Sequence, residues 1–142
     1  MLHYSKYIHH KDAQWITFIH GAGGSSSIWY KQLRDLKKKH NILLVDLRGH
    51  GRSKSPIYDK LKSYTFDVIS DEVIEVLDYL KIEKSHFVGI SLGTIIIREL
   101  AERYPERCSS MIMGGAVMKL NFRGQVLMRL GVLLKSVIPY LL

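Results

Sequence analysis

Residues 85–93 read Ser-His-Phe-Val-Gly-Ile-Ser-Leu-Gly, and this stretch is the most informative part of the chain. Its first residues favour a buried strand, and a helix-like run follows from Leu92. The turn between them has the pattern G-x-S-x-G, which holds a serine on a sharp strand-to-helix turn. Gly89 and Gly93 flank the serine because the strand and helix backbones approach so closely that a Cβ would clash. Ser91 is therefore the first candidate for a functional residue.

Strand-like and helix-like segments alternate along the whole chain. Apolar runs predict strands at residues 2–8, 14–19, 42–45, 86–89 and 111–115, and helical spacing predicts helices at residues 28–38, 65–80 and 92–104. The acidic residues of the helix at 65–80, Glu72 among them, are expected to face outward. Such alternation predicts an α/β fold with a mostly parallel sheet and helices on both of its faces.

Two further motifs follow predicted strands upstream of Ser91. Residues 20–23 read His-Gly-Ala-Gly, and residues 46–53 read Asp-Leu-Arg-Gly-His-Gly-Arg-Ser. Loops at the carboxyl ends of parallel strands converge at one edge of the sheet, where ligands bind. We therefore expect both loops to lie near the turn that carries Ser91.

With these three motifs in this order, the chain resembles the α/β-hydrolase superfamily, in the branch with an HG-x-G loop after its third strand and a D-x-RG-x-G-x-S loop after its fourth. The resemblance covers residues 12–118. It implies an incomplete α/β-hydrolase fold in which residues 1–118 form the N-terminal part of the core. Residues 119–142 would then begin the cap or lid region.

The resemblance also implies a role for each motif. Ser91 would be the nucleophile that attacks an acyl carbonyl, and the backbone N–H groups of Leu92 and Ala22 would form the oxyanion hole. Loop-bracing roles are implied for His20, Gly21, Gly23, Asp46 and His50. His20 and Asp46 are candidates for the catalytic base and acid by residue type. The family, however, places its acid and then its histidine after the nucleophile in the sequence.

The sequence after Ser91 lacks the residues that this order requires. No Asp or Glu occurs after Glu106, and no histidine occurs after His86. The sequence predicts a serine hydrolase, truncated before its catalytic acid and histidine, that acts on an ester, thioester or related acyl bond of a small molecule. The alternative is a non-catalytic or weakly catalytic ligand-binding or sensor protein of the same fold, or a fragment completed by a partner chain.

The composition limits the classes of binding partner and the cellular compartment that we expect for this chain. The net charge is +8, but residues 1–106 hold 16 Lys and Arg against 13 Asp and Glu, so most of the excess lies in residues 107–142. No interleaving of aromatic and basic residues suggests nucleic-acid binding. A single cysteine and an N-terminus without an apolar run predict a cytoplasmic protein.

Residues 121–142 are strongly apolar and predict a helix. Arg129 and Lys135 interrupt them and argue against a membrane span. An exposed apolar surface of this kind favours self-association. No histidine pair has the spacing of a metal site, and no motif implies a cofactor.

Overall fold

A computed structural model describes residues 1–53 and 65–116 of the chain. The strands are β1 (Tyr4–Tyr7), β2 (Trp15–Ile19), β3 (Asn41–Val45), β4 (Ser85–Ile90) and β5 (Cys108–Gly114). The α-helices are α1 (Tyr30–Leu36), α2 (Phe66–Tyr79) and α3 (Leu92–Arg103), and short 3-10 helices cover Ser26–Trp29 and Pro105–Arg107. Every strand and helix predicted within these residues is present, with ends that shift by a few residues.

The five strands form one sheet in the order β1-β3-β2-β4-β5. β3, β2, β4 and β5 run parallel, and β1 is antiparallel to β3 at one edge. The α/β fold with a mostly parallel sheet is therefore confirmed.

Helices cover both faces of the sheet, as expected. On one face, Leu43, Val45 and Phe87 pack against apolar residues of α2 and α3. On the other face, Phe18 and Leu44 pack against α1 and the 3-10 helix before it. All five residues of β3 are buried, which is typical of a parallel strand covered on both sides.

Glu72 corrects one prediction about α2. The helical spacing placed this acid outward with its neighbours, but its carboxylate is buried and pairs with the equally buried guanidinium of Arg48. The apolar stripe of α2 is therefore interrupted by one charged group that the loop after β3 neutralises.

The strand order also locates the site edge. Along the chain, β2 is followed by β3, which lies on one side of it, and then by β4, which lies on its other side. In sheets of this kind, ligands bind outside the carboxyl ends of the strands at such a reversal. The loop after β2 and the turn after β4 both lie there.

Several predictions concern residues outside the described ranges. The apolar helix expected at residues 121–142, the lid role and the division at residue 118 all lie there. Within the described residues, no helix combines the length and apolar character needed to cross a membrane.

Candidate active site

Ser91 occupies a strained turn between β4 and α3. Its backbone has φ 51° and ψ −116°, a conformation that non-glycine residues rarely adopt. The Ser91 N–H donates to the carbonyl of Gly114 at 3.0 Å, and the Ser91 carbonyl accepts from the Thr94 N–H at 2.9 Å and the Thr94 hydroxyl at 2.6 Å. These bonds hold an exposed serine in one orientation at the carboxyl edge of the sheet.

The flanking glycines are needed for the close approach of strand and helix. A Cβ at Gly89 would overlap the side chain of Ile97 and lie 2.9 Å from the backbone of Gly93. A Cβ at Gly93 would overlap the carbonyl oxygen of Ile19 in the neighbouring strand. The steric reason inferred for this glycine pair is therefore present in the structure.

Gly21 lies directly beside Ser91. A Cβ built on Gly21 would come within 3.3 Å of the Ser91 Cβ and within 3.3 Å of the Ile90 carbonyl oxygen. Because consecutive Cα atoms are about 3.8 Å apart, Ala22 lies within about 9 Å of Ser91. The loop after β2 and the turn that carries Ser91 therefore lie together, as expected.

Leu92 begins α3, so its N–H has no helical acceptor and is free for another partner.

His20 fixes the orientation of the peptide that joins Gly21 to Ala22. The Gly21 carbonyl accepts from His20 Nδ1 at 2.7 Å and from the Gly24 N–H at 3.1 Å. In a trans peptide the N–H points opposite to the carbonyl, so the Ala22 N–H points away from both donors. Gly23, with φ 73°, supplies the positive φ that this turn requires.

Both ring nitrogens of His20 are engaged. Nε2 accepts from the Leu47 N–H at 3.0 Å, so Nδ1 carries the proton that it donates to Gly21. Burial lowers the pKa of His20 below its ordinary value, against the opposing effect of the bond to the Gly21 carbonyl. His20 is therefore a neutral, buried brace between the loops after β2 and β3.

Asp46 ties the same two loops together through its carboxylate. Oδ1 accepts from the Ser26 N–H at 2.6 Å, and Oδ2 accepts from the Arg52 N–H at 3.0 Å. His3 Nδ1 lies 3.3 Å from Oδ2. Burial opposes ionisation of Asp46, but these hydrogen bonds outweigh it and hold its pKa below the ordinary value. Gly51, with φ 50°, packs so closely on the carboxylate that a side chain there would overlap it.

His50 and Arg48 complete the second loop. His50 Nδ1 lies 2.9 Å from the Arg48 carbonyl oxygen, and its ring centroid is 5.2 Å from that of His20. The Arg48 guanidinium forms a two-pronged ion pair with Glu72, with Nε at 3.1 and 3.0 Å from the two carboxylate oxygens. Sequence reasoning missed this pair, since a single glutamate in an acidic helix face carries no visible signal of burial.

Two concave surfaces among the described residues lie at the edge of the sheet opposite to the one that carries Ser91. They have volumes of about 520 and 410 Å³, and both are lined by residues 81–84 at the amino-terminal edge of the sheet. Within the described ranges, no group of three or more His, Cys, Asp or Glu side chains could hold a metal ion. Among the described residues, the site edge consists of Ser91 and the two braced loops.

Comparison with known proteins agrees with this geometry. A family model described as alpha/beta hydrolase fold matches residues 14–130. The chain belongs to the α/β-hydrolase family. It is 31% identical over 106 residues to 3-oxoadipate enol-lactonase 2 of Acinetobacter baylyi, covering 75% of this chain and 38% of that protein. It is 34% identical over 100 residues to an uncharacterized carboxylesterase, nap, of Bacillus subtilis, covering 70% and 32%.

A solved structure gives the same result. The enol-lactonase from Burkholderia xenovorans LB400 matches with a TM-score of 0.70 and 32% identity, over 78% of this chain and 41% of that one. Across these three relatives, the chain spans between 32 and 41% of the relative's length. The N-terminal portion of the fold is thus the part that this chain matches.

Proposed function

We propose that this chain carries the nucleophile and the oxyanion hole of a serine hydrolase that acts on an ester, thioester or related acyl bond of a small molecule. The observation that carries the proposal is the position of Ser91, on a positive-φ turn within contact distance of Gly21. Strain of this kind persists where the surrounding structure enforces it, and it concentrates at active sites.

The proposed chemistry begins with attack of Ser91 Oγ on the acyl carbon. As the new C–O bond forms, the Oγ proton passes to a base and negative charge develops on the carbonyl oxygen. The N–H groups of Leu92 and Ala22 would stabilise that charge. The bond to the leaving group then breaks, the leaving group takes up a proton, and water releases the acyl group from Ser91.

The base and the acid that orients it are proposed to lie outside these 142 residues. His20 is neutral, but both of its ring nitrogens are already bonded to the backbone. His50 Nδ1 faces the Arg48 carbonyl, and among the described residues no hydrogen bond joins His50 to Ser91. Asp46 is committed to the backbone of Ser26 and Arg52. Without a base, a serine hydroxyl is a weak nucleophile at neutral pH.

The names of the relatives favour an acyl–oxygen bond as the target. Two of the proteins described above are enol-lactonases and one is a carboxylesterase, and lactones and carboxylic esters both contain this bond. An oxyanion hole serves any such acyl transfer, so the proposal extends to thioesters.

Imidazole in solution tests the proposal, because it can replace the missing base. The 142-residue chain and its Ser91→Ala variant are assayed side by side on short acyl esters with increasing imidazole. We expect a Ser91-dependent rate that rises about tenfold or more, below the 10²- to 10⁴-fold that a positioned base supplies. The variant corrects for direct cleavage of the ester by imidazole.

Equal rates for the two proteins at every imidazole concentration contradict the proposal and support the alternative of a non-catalytic, ligand-binding protein. Strong Ser91-dependent turnover without imidazole contradicts the absence of a base. In that case, substitution of His20 and of His50, one at a time, identifies which of them takes the proton.

A further inference from the structure

Thr94 lies in the first turn of α3 and bonds back to the residue at which the helix starts. Its hydroxyl donates to the Ser91 carbonyl at 2.6 Å, and its backbone N–H donates to the same oxygen at 2.9 Å. A serine at the start of a helix commonly caps it by accepting from a backbone N–H of the first turn with its side chain, but Ser91 forms no such bond. Thr94 therefore secures the turn, and the Ser91 hydroxyl takes no part in capping α3.

The carbonyl that Thr94 contacts belongs to the same peptide as the Leu92 N–H. In a trans peptide the N–H points opposite to the carbonyl, so a bond that directs the Ser91 carbonyl also directs the Leu92 N–H. A donor to the carbonyl also polarises the peptide, and hydrogen bonds in such a chain strengthen one another by about 10–30%. The Thr94 hydroxyl therefore acts on both the direction and the donor strength of the Leu92 N–H.

The other proposed donor has the same arrangement. The Gly21 carbonyl, which belongs to the same peptide as the Ala22 N–H, accepts from His20 Nδ1 and from the backbone N–H of Gly24. His20 is fully buried and Thr94 is only 3% exposed, so both side-chain bonds are shielded from water. One buried side chain thus serves each of the two donor peptides.

We propose that Thr94 is a positioning residue for the oxyanion hole, because its hydroxyl orients and polarises the peptide that carries the Leu92 N–H. This role rests on the function proposed for Ser91 and adds to it a residue that acts through the backbone. The negative charge that the N–H stabilises develops in the transition state, so Thr94 should affect the rate of acyl transfer.

Removal of the hydroxyl tests the role. The 142-residue chain is assayed on a short acyl ester in the presence of imidazole, and each variant is corrected by the same variant carrying Ser91→Ala. Loss of one oxyanion donor costs about 10²- to 10³-fold, so weakening it by about 10–30% predicts that Thr94→Val lowers the Ser91-dependent rate by about two- to eightfold. Thr94→Ser keeps the hydroxyl and should restore the rate.

Thr17→Val is the matched control. Thr17 is also buried, and its hydroxyl lies 2.8 Å from that of Ser85, but this bond joins β2 to β4 inside the sheet and involves neither donor peptide. Thr17→Val should therefore keep the Ser91-dependent rate, and urea unfolding of both valine variants shows how much stability each loses. If Thr94→Val does not unfold cooperatively, Thr94→Ala and Thr94→Ser, which differ by one hydroxyl, give the same comparison.

A thiono ester separates the oxyanion effect from a general loss of structure. In this substrate sulfur replaces the carbonyl oxygen, and sulfur accepts hydrogen bonds weakly. The donor strength of the Leu92 N–H therefore matters less, and Thr94→Val should lower the rate on the ester by a larger factor than the rate on the thiono ester. A structural defect would lower both rates by the same factor.

A Ser91-dependent rate that is equal in Thr94→Val and in the unsubstituted chain overturns the role of Thr94 and leaves the function proposed for Ser91 intact. The same holds if Thr17→Val loses as much of the rate, if Thr94→Ser does not restore it, or if both substrates are affected equally. Equal rates for the unsubstituted chain and its Ser91→Ala variant overturn both proposals.

Discussion

At the scale of single residues, His20 holds the loops of the site in place, a role that its position next to a glycine loop does not by itself suggest. Its two ring nitrogens bond to Gly21 on one side and to Leu47 on the other, so one imidazole sets the spacing between two loops. The direction of the Gly21 carbonyl is thereby fixed, and because the peptide is trans, the Ala22 N–H, which is the proposed oxyanion donor, points the opposite way. His20 is thus a positioning residue that acts through the backbone.

The lowered pKa of His20 predicts a pH-dependent stability. Below its ordinary pKa of 6.5, the unfolded chain takes up a proton that the folded chain does not. The free energy of unfolding should therefore be constant above about pH 7 and fall as the pH drops below 6.5, by up to about 1.4 kcal/mol per pH unit. Urea unfolding between pH 7.5 and 4.5 measures this dependence.

Two variants identify the group responsible. His20→Gln should be less stable at neutral pH by about 1–3 kcal/mol, because buried backbone groups lose partners, and it should lack the loss of stability below pH 6.5. His9→Gln, at an exposed position, should keep that loss. Asp46 does not confuse the result between pH 7.5 and 5, since its lowered pKa affects stability only below about pH 5. An unchanged pH dependence in His20→Gln would contradict the assignment.

At the scale of elements, the Arg48–Glu72 pair fastens α2 to the loop that follows β3. Both side chains are buried, so removing the Glu72 carboxylate takes a compensating charge away from the buried Arg48 guanidinium. We expect Glu72→Gln to lower the free energy of unfolding by about 3–5 kcal/mol. Glu75→Gln, one turn along the same helix and exposed, should change it by less than about 0.5 kcal/mol.

A double variant separates the effect of the buried charges on stability from the effect of side-chain packing. Replacing Arg48 and Glu72 together by methionine removes both charges and keeps apolar volume, so it should be less destabilising than Glu72→Gln alone. Urea unfolding midpoints give the comparison. If the double variant is less stable than Glu72→Gln, the ion pair stabilises the fold by more than the mutual compensation of its two charges.

The elements were predictable where one physical signal dominates. β3 was evident from a short apolar run, and the turn at Ser91 from two glycines that exclude a Cβ. The burial of Glu72 was not, because its partner lies on another element and the helical period alone places it with the exposed acids. The bracing by His20 and Asp46 was implied by family resemblance, while the particular N–H groups that they contact required the fold.

At the scale of the whole molecule, the chain contains the motifs that precede and include the proposed nucleophile and matches less than half of each relative described. The site edge is already assembled by the described residues, since hydrogen bonds fix the backbone at Ser91 and Gly21, and the Asp46 carboxylate joins the loops after β2 and β3. What the proposed function still needs is a base and a carboxylate, which the family supplies later in the chain.

A fusion protein tests this division of the catalytic groups. Residues 1–116 of this chain, joined to the part of 3-oxoadipate enol-lactonase 2 beyond the matched region, should hydrolyse short acyl esters without added imidazole. The physical reason is that a base held in position takes over from imidazole dissolved at millimolar concentration. Removing Ser91 should abolish this gain in the hydrolysis rate. Ser91→Ala in the same fusion is the control, and cooperative unfolding establishes that the fusion folds. A folded fusion whose turnover is absent, or is the same with alanine at position 91, contradicts the role of Ser91 as nucleophile.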